Sequence, residues 1–322
     1  MSISLYELSM NLNPVRSKIT KLRLMVGVAG IAVIAILYVA ICWYLVGQAL
    51  EADVVGFESR PQELGLAYED VEFHPRGDES ITLRGWWLPA EDSKGSVIWV
   101  HGLGKNRADQ LPLLRDLISN GFSILAFDLR GHGQSDLAPF GAGTKGPADV
   151  RGAIDFLITD KASSDVILMG HSFGGSIVLL AGAGEVAVVG VYADSAFAAL
   201  TDVMIDGIEV PVPFLGWLPS LLRPGIVLVA GIRGVELGAV RPEIAMKDYT
   251  GMVFGIVHCI DDESVLMEHA FRIRKVVEAN APWFNLFPRC GHAEAYESLP
   301  ETYVAIVTGY FLEQFGHAEA KP

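Results

Sequence analysis

The chain has 322 residues, 51% of them hydrophobic, and a net charge of −14 at pH 7. That charge argues against a nucleic-acid surface, because no Lys/Arg-rich run offsets the repulsion of a polyanion. Three cysteines are too few for a disulfide-stapled scaffold, and no C-x-x-C spacing offers zinc a site.

A mean hydropathy of +0.37 is high for a soluble chain, and its main source lies near the N-terminus. No charge occurs from Leu24 to Leu50, and the apolar heart runs Leu24 to Val46. At 1.5 Å rise per residue this heart spans roughly 35 Å, enough to cross a ~30 Å hydrocarbon core with some tilt. Trp43 and Tyr44 sit near its far end, where amphipathic rings favour the interface. Arg16, Lys18, Lys21 and Arg23 precede the run, and Glu51 and Asp53 follow it. The positive-inside bias then keeps the N-terminus cytoplasmic and sends residues 51–322 across. A cleavable signal peptide is the competing reading, but its apolar region is shorter, about 7–15 residues. The expected division is a cytoplasmic segment 1–23, a transmembrane helix 24–46, a linker 47–69 and a folded domain 70–317.

After the linker, short apolar runs alternate with helix-length stretches. Val71–Phe73 and Ile81–Leu88 read as a strand pair around the turn at Pro75-Arg76-Gly77-Asp78. Strands follow at Val97–Val100, Ser123–Phe127, Val166–Met169, Val186–Tyr192, Met252–Val257 and Trp283–Phe287. Helices are expected near 107–119, 147–159, 173–183, 264–278 and 299–314. Apolar strands alternating with helices predict an α/β architecture, a mostly parallel sheet covered on both faces. Residues 197–245 break the rhythm and read as an insertion above the sheet. Pro211, Pro213, Pro219 and Pro224 argue against a second membrane span there.

The chemistry concentrates in Gly170-His171-Ser172-Phe173-Gly174, a G-x-S-x-G pentapeptide between a strand and an apolar helix. A serine there sits on a cramped turn that glycines allow, with a helix N-terminus beneath it where an oxyanion would form. The alternative is a Gly-rich turn with an ornamental serine. A hydroxyl needs a base, and His292, following the last strand in Pro288-Arg289-Cys290-Gly291-His292, is the best placed. His101 and His132 are rivals by residue type only. The base needs an orienting carboxylate, and the strand ending at Val257 leads into Asp261-Asp262-Glu263. The order Ser172, Asp262, His292 suits such a triad. Two backbone N–H groups would hold the oxyanion: Phe173, after the nucleophile, and Leu103 in the turn His101-Gly102-Leu103-Gly104.

HGLG at 101–104, DLRGHGQS at 128–135, GHSFGG at 170–175, HCIDDESV at 258–265 and CGH at 290–292 together resemble the α/β-hydrolase superfamily over about residues 70–315. The nearest likeness is to membrane-anchored serine hydrolases related to monoglyceride lipases and acylaminoacyl peptidases. The resemblance implies an eight-stranded sheet with an antiparallel second strand and a lid at about 197–245. It selects Asp262 over Asp261 by its distance from His258, keeps Asp194 as a minor alternative acid, and makes Arg130 and His132 structural. The chain departs from the pattern at Cys259, where glycine is usual, and at Leu266, where proline is common. Cys259 and Cys290 follow the last two strands. Outside the cytoplasm a disulfide between them is permitted, and the alternative is two buried thiols.

The expected activity is acyl transfer from an ester to water, with no metal or organic cofactor implied. Its substrate would be a lipid or other small-molecule ester, and Phe214, Trp217, Leu218, Leu221 and Leu222 in the insertion would form a greasy acyl site or a face on lipid. A peptidase, a thioesterase or acyltransferase, and a non-catalytic hydrolase-fold binding protein are the alternatives.

Overall fold

The computed structural model describes residues 5–50, 55–139, 141–206, 218–249, 252–277 and 282–319. The chain enters through one long helix, α1 (Leu5–Leu50). Within it Thr20–Gly47 is long and apolar enough to cross a membrane, by length and composition. Most of its described side chains are exposed. The exceptions are Tyr38, Cys42, Leu45, Val46 and Gly47, on one stripe at helical spacing.

The strands are β1 (Glu69–Phe73), β2 (Leu83–Leu88), β3 (Ser96–Val100), β4 (Ser123–Phe127), β5 (Val166–His171), β6 (Val188–Asp194), β7 (Val253–Cys259) and β8 (Trp283–Phe287). They form one eight-stranded sheet in the order β1-β2-β4-β3-β5-β6-β7-β8. Strand β2 runs antiparallel to both β1 and β4, and the other neighbours are parallel. Every residue of β3, β4 and β5 is buried, as strands with both faces covered must be.

The helices are α2 (Leu111–Ser119), α3 (Gly146–Asp160), α4 (Ser172–Ala181), α5 (Leu200–Asp206), α6 (Leu218–Ile232), α7 (Pro242–Ala245), α8 (Glu268–Val276), α9 (Ala295–Ser298) and α10 (Pro300–Glu319). They divide the apolar interior into two cores. One packs α3, α4, α6 and α8 on one face of the sheet. The other packs α2 and α10 on the opposite face. Side chains as large as Trp86, Trp99, Tyr192 and Phe311 are fully buried, each contributing about 1.5–3 kcal/mol of transfer free energy.

Two of the shifted boundaries have a clear physical cause. Val186 is 98% exposed and belongs to a turn, closed by Val188 N–H donating to Glu185 O, so β6 starts at Val188. Helix α2 starts at Leu111, not 107, because Arg107 and Asp109 are drawn into tertiary ion pairs. Between β6 and β7 the insertion contains α5, α6 and α7. Pro211, Pro213, Phe214 and Trp217 lie outside the described residues.

Candidate active site

The parallel strands bring three chain segments to one end of the sheet. Strand β5 ends at His171, and α4 begins at once with Ser172, whose φ is +53°. A non-glycine residue pays for that left-handed backbone in strain, and the flanking glycines make the turn feasible. A Cβ on Gly174 would lie 2.2 Å from Val100 O, and one on Gly170 would lie 2.7 Å from the Gly174 carbonyl carbon. The pentapeptide therefore closes tightly against β3 and lifts the serine hydroxyl clear of the sheet.

His292 follows β8 and Asp262 follows β7. The His292 Nε2 lies 2.6 Å from Ser172 Oγ, and its Nδ1 lies 2.7 Å from Asp262 Oδ2. The other Asp262 oxygen accepts the backbone N–H groups of Ser264 at 2.9 Å and Val265 at 2.8 Å. Burial alone would raise the Asp262 carboxyl, but the His292 hydrogen bond and charge, with the Val265 amide, hold it below the usual carboxylate value. The rival acids are engaged elsewhere. Asp261 accepts the Arg289 N–H at 2.9 Å. Asp194 accepts the Tyr303 hydroxyl at 2.8 Å and the Ser195 hydroxyl at 3.0 Å.

The turn after β3 lies over the serine, since a Cβ on Gly102 would meet Ser172 Cβ at 3.6 Å and His171 Nε2 at 3.1 Å. Leu103, next in this turn, makes no hydrogen bond through its amide among the described residues. Phe173 opens the first turn of α4, where the N–H groups and the helix dipole face an incoming anion.

His101 and His132, the rival bases, are buried in structural roles. The Leu129 N–H donates to His101 Nε2 at 3.1 Å, so His101 Nδ1 carries the proton and donates to Gly102 O at 2.7 Å. Burial and the nearby His132 push His101 down to about 3 from an ordinary 6.5. Between those values the unfolded chain binds the extra proton, so stability falls as pH falls, by up to about 1.4 kcal/mol per pH unit. His101→Gln is expected to flatten that slope when urea unfolding is measured from pH 7.5 down to 4, and an unchanged slope would exclude a neutral buried His101. His132 Nδ1 lies 3.0 Å from Arg130 O. Arg130 forms a buried ion pair with Asp149 at 2.6 Å.

One pair was not foreseen from the residues. His171 Nε2 lies 2.6 Å from Asp109 Oδ2, with both side chains largely buried. Burial pulls His171 down, but the Asp109 hydrogen bond and charge outweigh it and the net shift is upward. The Asp109 carboxyl is lowered against its own burial by the same partner. The pair clamps the turn after β3 to the serine turn. His171 lies inside the pentapeptide, yet nothing in the local pattern points to Asp109. Ser195 is a second omission. Its hydroxyl accepts the Ala293 N–H at 3.2 Å, tying the His292 loop to the end of β6.

Cys259 and Cys290 form a disulfide with Cα atoms 5.5 Å apart, joining the Asp262 loop to the His292 loop. Thiol titration of the denatured chain is expected to find one reactive thiol, Cys42, before reduction and three after it; three before reduction would contradict the bond.

Residues 91–231 match the family described as serine aminopeptidase, S33. The chain is 30% identical over 151 residues to the uncharacterized protein YfhR of Escherichia coli K12, covering 43% of this chain and 52% of that one. It is 28% identical over 133 residues to human monoglyceride lipase, covering 39% and 43%. The chain thus spans about half the length of the curated relatives it matches. Among solved structures, an esterase of Pyrococcus furiosus superposes with a TM-score of 0.65 at 20% identity, covering 81% of this chain and 96% of that one. An acylaminoacyl peptidase of Pyrococcus horikoshii gives 0.55 at 13% identity, covering 78% and 42%. Sheet order and these neighbours show that the chain has the α/β-hydrolase fold, and its central stretch is similar to the serine aminopeptidase, S33, family.

Proposed function

We propose that the protein is a membrane-anchored serine hydrolase that cleaves carboxylic esters through Ser172, His292 and Asp262. The observation that carries the reading is the unbroken hydrogen-bond chain from Ser172 Oγ through His292 to Asp262. With Nδ1–H donating to Asp262, His292 Nε2 is left to accept the serine proton as Oγ attacks the carbonyl carbon. The Leu103 and Phe173 amides receive the oxyanion. His292 then returns the proton to the leaving alkoxide, an acyl-Ser172 ester remains, and water attacks it by the same route in reverse. The likeness to monoglyceride lipase and to esterases favours esters.

In this reading α1 is the anchor across 24–46, residues 1–23 are cytoplasmic, 47–69 are a linker, and the catalytic domain 70–317, with its lid at about 197–245, lies outside. Peptide hydrolysis is the second reading, favoured by the serine aminopeptidase match. The test is labelling of detergent-solubilised protein with a fluorophosphonate, followed by rate profiles on acyl esters of graded length and on aminoacyl amides. Failure to label folded protein would overturn the hydrolase reading, and faster turnover of amides than of esters would select the peptidase.

A further inference from the structure

Helix α6 carries a proline in its interior, Pro224. Without an N–H, Pro224 leaves the Ser220 carbonyl unpaired within the helix and strains the turn around it. The anchor helix meets α6 at this break. Tyr38 Oη donates to Leu221 O at 3.0 Å and accepts the Gly225 N–H at 2.9 Å. Leu221 O and Gly225 N–H are the i and i+4 groups that an unbroken helix joins directly, so the tyrosine hydroxyl bridges the ladder at the kink. Gly225 is what lets the helices come this close. A Cβ there would lie 2.5 Å from Cys42 Sγ and 2.6 Å from Tyr38 Cε1. Below the bridge Cys42 and Val46 share a core with Leu222, Ile226, Val229 and Ala230. At the far end the Arg233 guanidinium sits over the Trp43 ring, 5.5 Å from its centroid.

The opposite face of α6 is apolar and bare. Leu221, Val227, Leu228 and Ile232 are all exposed, the last two at 60% and 65%. From Pro224 to Ile232 there is no charge. The anchor against which α6 packs is itself apolar and exposed at Leu24, Ile31, Ile36 and Trp43. Counted from Leu24, about 20 residues at 1.5 Å fill a ~30 Å core and reach the level of Trp43. Tyr38 then lies roughly 7 Å inside that level, a depth at which interfacial helices commonly rest. There an open backbone pair finds no water to satisfy it, and a neighbouring side chain must do so. Arg223, whose guanidinium is held by Asp202 at 2.8 Å, and Arg233, whose guanidinium is held over the Trp43 ring, flank the uncharged stretch.

We propose that Tyr38 locks the insertion helix α6 to the anchor, and that the exposed face of α6 is seated among the acyl chains of the leaflet the anchor crosses. The anchor is then a structural part of the lid as well as a tether. The inference rests on reading α1 as a membrane helix and deepens the functional reading, because a lid held in lipid opens toward esters that reside there.

The test uses the full chain in dioleoylphosphatidylcholine vesicles. Leu228→Cys carries a nitrobenzoxadiazole fluorophore, Val186→Cys is the aqueous control, and the wild type, with Cys42 buried and the other cysteines bonded, reports background labelling. Lipids with a nitroxide at acyl carbon 5 are expected to quench position 228 at least threefold more than position 186, and iodide is expected to show the reverse order. Tyr38→Phe, which keeps the ring and removes the bridge, is expected to raise iodide quenching at 228. Iodide access at 228 equal to that at 186 would overturn the inference. Shielding from both quenchers would also overturn it, because a protein surface would then cover the face. An unmoved signal in Tyr38→Phe would overturn the lock. No catalysis is read, so the hydrolase reading stands apart. Protein that fails to float with the vesicles would refute the anchor and this inference together, whereas floating protein with an aqueous position 228 refutes this inference alone.

Discussion

Ser172→Ala is expected to abolish fluorophosphonate labelling and to lower kcat for ester hydrolysis by about 10⁶-fold, the scale on which loss of a triad nucleophile acts. In the proposed chemistry the hydroxyl is the group that bonds to the acyl carbon. The substitution keeps the Cβ, so the positive φ of 53° and the close contacts of Gly170 and Gly174 are unchanged. Thermal unfolding should therefore stay within about 1 kcal/mol of the wild type, as for substitutions that leave packing intact. Retained labelling in Ser172→Ala would place the activated nucleophile elsewhere and sink the proposed mechanism.

The second large effect distinguishes two adjacent acids. Asp262→Asn is expected to lower kcat about 10⁴-fold with a small change in KM, because an amide facing His292 Nδ1 favours the wrong imidazole tautomer. Asp261→Asn should cost less than about tenfold, since its carboxylate accepts only the Arg289 amide, at 2.9 Å, and so acts through the loop. The folded protein holds Asp262 below the usual carboxylate value. Its contribution to stability is therefore complete above the unfolded carboxylate range and is lost as pH falls through and below that range. Asp262→Asn should reduce the acid sensitivity of unfolding there. Equal losses of activity in the two variants would contradict the assignment of the acid.

Helix and strand identities were legible because each depends on short-range pattern. Continuous apolar runs marked β3, β4 and β5, and those strands are buried on both faces. The long apolar helix was legible for the same reason, since charge and hydropathy change abruptly at Leu24. The serine turn could be read because a strand, a cramped turn and a helix are contiguous in the chain, with glycines at 170 and 174, where a Cβ would clash with the neighbouring backbone. That His292 would lie near Ser172 could be read from its place after the last strand.

The choice between Asp261 and Asp262 is of another kind. From the residues alone both acids stayed open, and only the resemblance favoured one. In the fold the turn after β7 points Asp262 at His292 and Asp261 at Arg289. The two are neighbours in sequence and differ only in which way a loop directs them.

Residues distant in the chain were set by tertiary structure altogether. Asp109 and His171 are 62 positions apart, and their ion pair exists because β3 and β5 lie side by side and bring two loops into contact. Cys259 and Cys290 pair because β7 and β8 are neighbours. Tyr38 meets Gly225 across 187 positions, through a hydroxyl that hydropathy counts only as part of an apolar run. By itself the sequence determined the long apolar helix, the strands and the serine turn, because local sterics and burial specify these within a few residues. Only the tertiary structure decided which acid faces His292, which loops are pinned, and that the N-terminal helix closes a break in the insertion helix. Those contacts depend on loops closing in space, and no periodicity along the chain records them.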